Sequence, residues 1–288
     1  RLPFLKPQNI PVIAWVTYDT GNTVFFTGVM GLLFPLWLTK VMGGDDATLG
    51  FTLAIAMAIV FIISPVLGTI SDQTGKRKSF LVVFTILFIA SGLLLGTSGL
   101  EMSIGFFALG VVAIHTADIF YNALLEDVSN SNNMGLIAGL GVGLGYLGAI
   151  VAVLISFMWM DTLGHLNVIR ILSILMLTLT LPLMLVAKNK PGQHPTEKSS
   201  IPAFAHLSLH RIITAIKTLR TEAIWTRFLV ARFWYMWAIN AAGAFLVLYG
   251  IETLKLTEQQ VHIVMLLGII TGIPSGIIWG KLVDTIGP

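Results

Sequence analysis

Hydrophobic positions along the chain fall into eight long runs, and shorter polar segments separate most of them. Each run has about 20 or more mostly apolar residues, the length that a helix needs to cross the hydrocarbon core of a bilayer. The pattern therefore predicts an all-α, polytopic membrane protein. Spanning helices are expected at 12–38, 47–70, 79–99, 103–125, 135–159, 166–187, 226–250 and 259–280.

The longest polar segment follows the sixth run, and it divides the chain into predicted domains. We expect a six-helix bundle over 1–187, a cytoplasmic linker over 188–225, and the first two helices of a second bundle over 226–288. Within the linker, residues 203–222 combine an apolar stripe with basic neighbours. Such a stretch is typical of a helix that lies on the cytoplasmic membrane surface.

Composition and charge support the membrane assignment. Apolar residues make up 56% of the 288 residues and charged residues 11%, whereas soluble domains carry about 25% charged residues. The predicted topology places most of the 17 Lys and Arg residues on one side, which indicates a cytoplasmic N-terminus. The net charge of +3 sits in membrane-flanking loops, so it does not indicate nucleic acid. Zero cysteines exclude disulfides and thiolate metal sites, and no cofactor or metal is predicted.

A G-x-x-x-D-x-x-G motif closes the second apolar run and returns at the end of the eighth. Long-period self-similarity indicates a duplicated architecture, which many secondary transporters have. If the repeat holds, twelve spanning helices are expected and this chain is a fragment with eight of them. The motif residues and their cations are expected to form a cytoplasmic gate: Gly68, Asp72, Gly75, Lys76, Arg77, Gly280, Asp284 and Gly287.

Polar residues inside the predicted spans are the candidate chemistry, because charges in a bilayer are costly and usually functional. In the fourth span, His115, Asp118 and Asn122 share one helix face and could relay a proton. The alternative is a buried polar network that joins helices. The seventh span carries Arg232, which could bind a substrate carboxylate, pair with an aspartate of another span, or extend to the membrane interface. The predicted substrate-binding and coupling residues are Tyr18, Asp19, Asn22, His115, Asp118, Asn122, Arg232 and Asn240.

The fifth span is rich in glycine and contains a literal G-x-G-x-x-G at 143–148. A dinucleotide site is rejected, because the match lies in an apolar run with no preceding strand. Small residues instead let membrane helices pack closely. The residues predicted to serve this packing are Gly139, Gly143, Gly145 and Gly148.

Several of these motifs resemble a known family. The stretch Gly68–Lys78 resembles the cytoplasmic loop signature of the major facilitator superfamily, with Gln73 where the signature usually has arginine. Tyr18–Asn22 and Tyr121–Asp127 resemble the vacuole-effluxer-like branch, the autophagy-related amino-acid effluxers. Ala231-Arg232-Phe233 resembles that branch's seventh span, although Trp237 stands where an acidic residue is expected.

The resemblance implies two six-helix bundles that alternate access to a central cavity, and amino-acid efflux as the activity. We therefore expect a monomeric secondary transporter of small polar solutes, with protons as a candidate coupling ion and lipid as its surroundings. The bacterial inner membrane is expected, or the vacuolar membrane if the source is fungal. Alternatives are an ion-independent facilitator and a non-transporting receptor or scaffold. An enzyme is not expected, because the spans hold no nucleophile–base constellation.

Overall fold

The chain forms an all-helical structure, seen in a computed structural model that describes residues 9–130, 133–189, 201–221 and 223–286. Those ranges contain helices, turns and bends but no β-strand. The N-terminal residues 1–8, part of the predicted linker at 190–200, and the predicted gate residue Gly287 lie outside the described residues.

Nine helices follow one another in the described part of the chain. The long helix α6 breaks at Gly164, whose φ of 76° and ψ of 160° are not helical, into α6a (134–163) and α6b (165–186). The bounds are α1 Ile10–Val41, α2 Asp46–Thr74, α3 Arg77–Leu94, α4 Gly99–Ala123, α5 Leu125–Val128, α6 Met134–Val186, α7 Ile201–Thr221, α8 Ala223–Glu252 and α9 Glu258–Ile286.

Six helices in the described ranges are long and apolar enough to cross a membrane: α1, α2, α3, α4 with α5, α6 and α8. Because α6 is broken at Gly164, these six account for seven of the eight predicted spans. The eighth predicted span coincides with α9, which is 29 residues long. The prediction of an all-α, polytopic membrane protein is therefore confirmed.

Helix α1 lies at the centre of the packing and is not a uniform α-helix. It is α-helical over Ile10–Val24, and it widens to a π-helix over Phe25–Leu33 and again over Trp37–Val41. The wider turns flank Pro35, whose ring has no N–H to donate to the helical hydrogen-bond ladder. A change from α to π turns alters which side chains share a face, and this matters for the site below.

Aromatic side chains join α1 to the neighbouring helices. Phe34 stacks on Phe107 of α4 with 3.7 Å between ring centroids, and Phe25 meets Phe88 of α3 at 5.6 Å. All four rings are almost completely buried. Burying a large apolar side chain contributes about 1.5–3 kcal/mol in water; within a bilayer, close packing takes over much of that role.

Glycines of α6a allow α1 to approach closely. A Cβ added at Gly145 would lie 2.7 Å from Oδ2 of Asp19, and one added at Gly148 would overlap the backbone oxygen of Thr20. The four glycines predicted to serve helix packing are all buried: Gly139, Gly143, Gly145 and Gly148. This contact places the backbone of α6a directly beside the polar residues of α1.

Local sequence fixes both ends of α2. Asp45 caps its N-terminus by accepting a hydrogen bond from the backbone N–H of Thr48 at 2.8 Å. At the other end Gly75 adopts a left-handed conformation with φ of 68°, and its N–H donates to the carbonyl of Ser71. The chain can therefore turn within two residues into α3.

Helix α7, which contains the amphipathic part of the predicted linker, lies against α2. Its Ser208 is 2% exposed, and the hydroxyl hydrogen-bonds to Oγ1 of Thr69 at 2.8 Å and to the carbonyl of Pro65 at 3.1 Å. Leu209 and Ile213 remain exposed on another side of the helix. The contact ties this helix to the end of α2 that carries the Gly68–Lys78 motif.

Candidate functional site

A cluster of polar side chains lies where α1 meets α4. The side-chain amide of Asn22 donates a hydrogen bond to Oδ1 of Asp118. Asn22 is only 4% exposed. Because the two residues are 96 positions apart in sequence, the contact depends on the packing of α1 against α4.

Two more groups complete this cluster. Asp19 lies three residues before Asn22 on α1, and its carboxylate faces the backbone of Gly145. The Tyr121 hydroxyl on α4 interacts electrostatically with the carboxylates of both Asp19 and Asp118, without the geometry of a hydrogen bond. We refer to Asp19, Asn22, Asp118 and Tyr121 as the α1–α4 cluster.

Neighbouring aromatic residues fix the position of Tyr121. Its ring stacks on Trp15 at 4.5 Å and on Tyr18 at 5.0 Å, with interplanar angles of 12° and 17°. The indole N–H of Trp15 donates to the Tyr121 carbonyl at 3.2 Å. The Tyr18 hydroxyl in turn hydrogen-bonds to Thr85 of α3 at 2.7 Å. The Tyr121 ring is thus held in a three-ring stack that leaves its hydroxyl little freedom to move.

The three residues of the predicted stripe on α4 make different contacts. His115 packs edge-on against Phe26 with ring centroids 5.2 Å apart, and among the described residues it makes no hydrogen bond or ion pair with Asp118. The exposed Asn122 side chain donates to the backbone carbonyl of Asp118 at 2.8 Å. Asp118 therefore has its side-chain contact with α1, and the His115–Asp118 relay stays a prediction.

The candidates on α8 lie apart from the cluster. Arg232 is exposed and makes no ion pair with Asp19 or Asp118 within the described ranges. Asn240 is also exposed, and its amide donates to the carbonyl of Met236 at 2.7 Å on its own helix. The large neighbours of Arg232, such as Trp234 and Trp237, are more than half exposed. The face of α8 that carries Arg232 is thus exposed and not packed against another helix in the described part of the chain.

Two of the predicted gate residues of the first motif, Asp72 and Arg77, take part in a cross-link between helices. Arg77 donates from Nη2 to Oδ1 of Asp72 at 3.0 Å and from Nη1 to the carbonyl of Ala123 at 3.2 Å. Its Nη1 also lies 3.8 Å from a carboxylate oxygen of Glu126. Arg77 thereby joins the α2–α3 turn to the end of α4.

The other gate candidates take a smaller part in the described contacts. Lys76 is exposed, and a Cβ at Gly68 would meet no atom within 4 Å. Gly280 and Asp284 of the second copy lie within α9. Among the described residues, no three His, Cys, Asp or Glu side chains are arranged to hold a metal ion.

The aromatic stack that holds Tyr121 is only weakly predictable from the sequence. Trp15 and Tyr18 are three residues apart on α1 and so share a helix face. That spacing indicates an aromatic surface, but not the helix against which it packs. Thr85 carried no signal at all, because a lone threonine in an apolar run most often bonds back to its own helix, and its hydroxyl also does so with Leu81 at 2.6 Å.

Comparisons with known proteins place this geometry in a family. The family model of the Major Facilitator Superfamily matches residues 21–288. The chain is 26% identical over 301 residues to the "Uncharacterized MFS-type transporter YxiO" of Bacillus subtilis (strain 168). This match covers 98% of the chain and 68% of the length of that relative. It is also 26% identical over 281 residues to an "Uncharacterized protein" of Aquifex aeolicus (strain VF5), with 96% and 67% covered. The chain therefore belongs to the Major Facilitator Superfamily: it is an integral, multi-pass membrane protein of a transporter family.

Proposed function

We propose that this protein is a secondary active transporter that exports small polar solutes, with amino acids as the substrate class. Membership of a transporter family supports the activity, and the polar side chains of the α1–α4 cluster support a polar substrate. The resemblance of the Tyr18–Asn22 and Tyr121–Asp127 motifs to amino-acid effluxers supports the substrate class and the direction of transport.

One observation carries the proposal: two carboxylates, Asp19 and Asp118, lie within an apolar bundle, and within the described ranges no Lys or Arg pairs with them. An acidic side chain within a membrane bundle is expensive unless it faces a partner or a watery passage. A solute or ion that visits this site would supply the missing partner. The ammonium group of an amino acid has the required charge.

Alternating access needs two groups of helices that can move against each other. Helix α9 packs along α6a, where Gly272 lies against the Tyr146 ring and His262 meets Phe157 edge-on at 5.9 Å. We propose that this line of contact is where the groups rock, and that the Arg77 cross-link holds the cytoplasmic side in one state. Rocking would bring the open face with Arg232 towards the passage, where its guanidinium could bind the substrate carboxylate.

The proposed driving ion is the proton, with Asp118 as its carrier. Only one Asp118 oxygen accepts from Asn22, so a proton could occupy the other. The proposed location is a bacterial inner membrane with a cytoplasmic N-terminus, which the loop charges and the two bacterial relatives support. We propose that the full-length protein works as a monomer.

Flux measurements test this function. The full-length protein is reconstituted in liposomes, and uptake of radiolabelled amino acids is compared with and without an imposed proton gradient. The expected result is flux of at least one amino acid that the gradient accelerates. The Asp118→Asn variant should lose the acceleration, whereas Asp161→Asn, at an exposed position near the end of α6a, should keep it.

Two outcomes would contradict the proposal. Flux that ignores the gradient in both the original protein and Asp118→Asn would favour an ion-independent facilitator. No flux for any amino acid in a protein that is folded by thermal melting would favour a non-transporting receptor or scaffold.

A further inference from the structure

The α1–α4 cluster offers only oxygen atoms to a ligand. Asp19 and Asp118 provide carboxylates, Asn22 provides an amide oxygen and Tyr121 a hydroxyl. The two carboxylates are close enough to interact with each other and with Tyr121. Oxygen-only donor sets with negative charge suit hard cations, whereas nitrogen and sulfur donors suit softer metals.

Two of these oxygen atoms have no hydrogen-bond partner among the described residues: Oδ1 of Asn22 and the hydroxyl of Tyr121. Both side chains are only 4% exposed. A buried polar atom without a partner costs about 1–3 kcal/mol, so most such atoms in native proteins are satisfied. The Asn22 amide is oriented by its bond to Asp118, and the Tyr121 ring is held by its aromatic neighbours. The unpartnered atoms are thus held in place beside two carboxylates.

The number of carboxylates in the cluster restricts the charge of the ligand. Asp19 lies beside the backbone of Gly145, and Asn22 is bonded directly to Asp118. The cluster has two carboxylates and belongs to no group of three acidic, histidine or cysteine side chains able to hold a metal ion. Ca²⁺ takes six to eight oxygen ligands, often with several carboxylates. The cluster has too few ligands to bind such a divalent ion well.

We infer that the α1–α4 cluster binds a small monovalent cation, and that sodium is the ion it takes. The ion lies between the Asp19 and Asp118 carboxylates and is also bound by Oδ1 of Asn22 and the Tyr121 hydroxyl. It neutralises part of the buried negative charge and satisfies both unpartnered atoms. The inference goes beyond the proposed transport of solutes, because it concerns ion binding and does not depend on which solute is carried.

A proton on Asp118 and a sodium ion at the cluster exclude each other, because protonation removes a charged ligand. Lowering the pH should therefore weaken sodium binding. The charged groups of the cluster are Asp19 on α1 and Asp118 on α4. From the described part of α6a no charged side chain joins them. The titratable neighbours of the two carboxylates are Tyr18 of α1 and Tyr121 of α4, whereas His115 packs on Phe26.

Direct binding to the purified, full-length protein in detergent tests the inference. Radiolabelled sodium is added at slightly alkaline pH and at constant ionic strength set with choline chloride. Saturable binding of one ion per chain is expected, displaced by unlabelled sodium or lithium but not by choline. Sodium should also raise the melting temperature by about 2 °C or more, because it binds the folded state alone.

Three variants localise the site. Asp118→Asn should weaken sodium binding at least tenfold. Tyr121→Phe keeps the stacked ring and removes only the hydroxyl, so it should weaken binding a few-fold while melting at a similar temperature in choline chloride. Asp161→Asn lies outside the cluster and should bind sodium like the original protein.

The inference is overturned if sodium does not bind saturably, or if binding persists unchanged in both Asp118→Asn and Tyr121→Phe. It is also overturned if methylammonium displaces sodium at concentrations well below those at which sodium itself does, since the site would then serve an amine head group. Flux without sodium binding would leave the proposed transport standing, whereas sodium binding without amino-acid flux would leave this inference standing.

Discussion

Gly272 of α9 lies directly against the ring of Tyr146 on α6a, so closely that a Cβ at Gly272 would be 2.8 Å from the ring carbon Cζ. Together with the Phe157–His262 contact, it forms a line along which α9 packs on α6a. Close backbone approach through glycine is how membrane helices pack without a hydrophobic driving force. The line therefore has little room for a larger side chain.

Enlarging Gly272 should impair this contact. Gly272→Val would force the Tyr146 ring aside, and flux in liposomes should fall about tenfold if the contact is the one along which the helices rock. Gly268→Val, one turn away, is the matched control, because a Cβ there meets no atom within 4 Å. Adding Tyr146→Ala to Gly272→Val should restore much of the flux. Equal flux in the two single variants would show that the contact is not limiting.

Gly148 gives a prediction about stability rather than transport. A Cβ at this position would overlap the backbone oxygen of Thr20, and a backbone atom cannot turn away as a side chain can. Gly148→Ala should destabilise the protein by about 1–3 kcal/mol, seen as a lower melting temperature in detergent. Gly105→Ala on α4 has open space and should be neutral or slightly stabilising. If the two variants melt alike, the close approach of α6a to α1 is wrong.

The Arg77 cross-link predicts a change in accessibility. Arg77→Ala removes the contacts to Asp72 and to the Ala123 carbonyl, and a loss of about 1 kcal/mol shifts a two-state equilibrium about fivefold. The chain has no cysteine, so Ser71→Cys, at a position 2% exposed, can report on opening. A water-soluble maleimide should label this cysteine about five times faster in the Arg77→Ala background.

Arg77→Lys is the control for charge in this experiment. The arginine guanidinium donates to Asp72 from Nη2 and to the Ala123 carbonyl from Nη1. A lysine keeps the positive charge but has a single nitrogen in place of these two separate donors. Labelling should therefore be intermediate. An unchanged labelling rate in Arg77→Ala would mean that the cross-link does not hold this end of the helix bundle closed.

The cap of α2 predicts a dependence of stability on pH. Hydrogen bonds from the Thr48 hydroxyl and backbone N–H hold the pKa of Asp45 below its ordinary value of 3.8. Because the pKa is lowered on folding, the stabilisation is fully present above 3.8 and is lost as the pH falls through the lowered pKa. The melting temperature should therefore show a small decrease in this acidic range.

Two substitutions isolate the contribution of this cap. Asp45→Asn keeps an oxygen that can accept from Thr48 but does not titrate, so the acid-induced decrease due to this residue should disappear. Asp45→Ala should lower the melting temperature at neutral pH as well. If Asp45→Asn shows the same acid profile as the original protein, other carboxylates are responsible.

The fold could be predicted from the sequence because membrane-spanning helices are recognisable by their length and apolar content. The first predicted span, 12–38, corresponds to α1 at Ile10–Val41, and the last, 259–280, to α9 at Glu258–Ile286. The gap between the fifth and sixth spans proved shorter than predicted. Gly164 alone supplies the turn, since glycine reaches a φ of 76° without strain and needs no polar loop around it.

The candidate site was predictable within a helix but not between helices. Spacing on α4 placed His115 and Asp118 on one face, yet Asp118 bonds to Asn22 of α1 and His115 packs on Phe26. Phe26 belongs to the π-helical part of α1, where i→i+5 hydrogen bonds change which side chains share a helix face. No pattern in the sequence predicted that α1 is π-helical over Phe25–Leu33.

Ser208 fixes the amphipathic helix α7 to α2. Since its hydroxyl bonds to Thr69 and to the Pro65 carbonyl, the amphipathic helix behaves as an extension of α2, not as a free tether between the two groups of helices. If the two groups of helices rock along the α9–α6a contact as proposed, the connection between them must bend beyond α7, towards the start of α8. If anionic lipid headgroups bind the basic face of α7, a displacement of α7 would also displace the α2–α3 turn, where Arg77 contacts Asp72 and the Ala123 carbonyl.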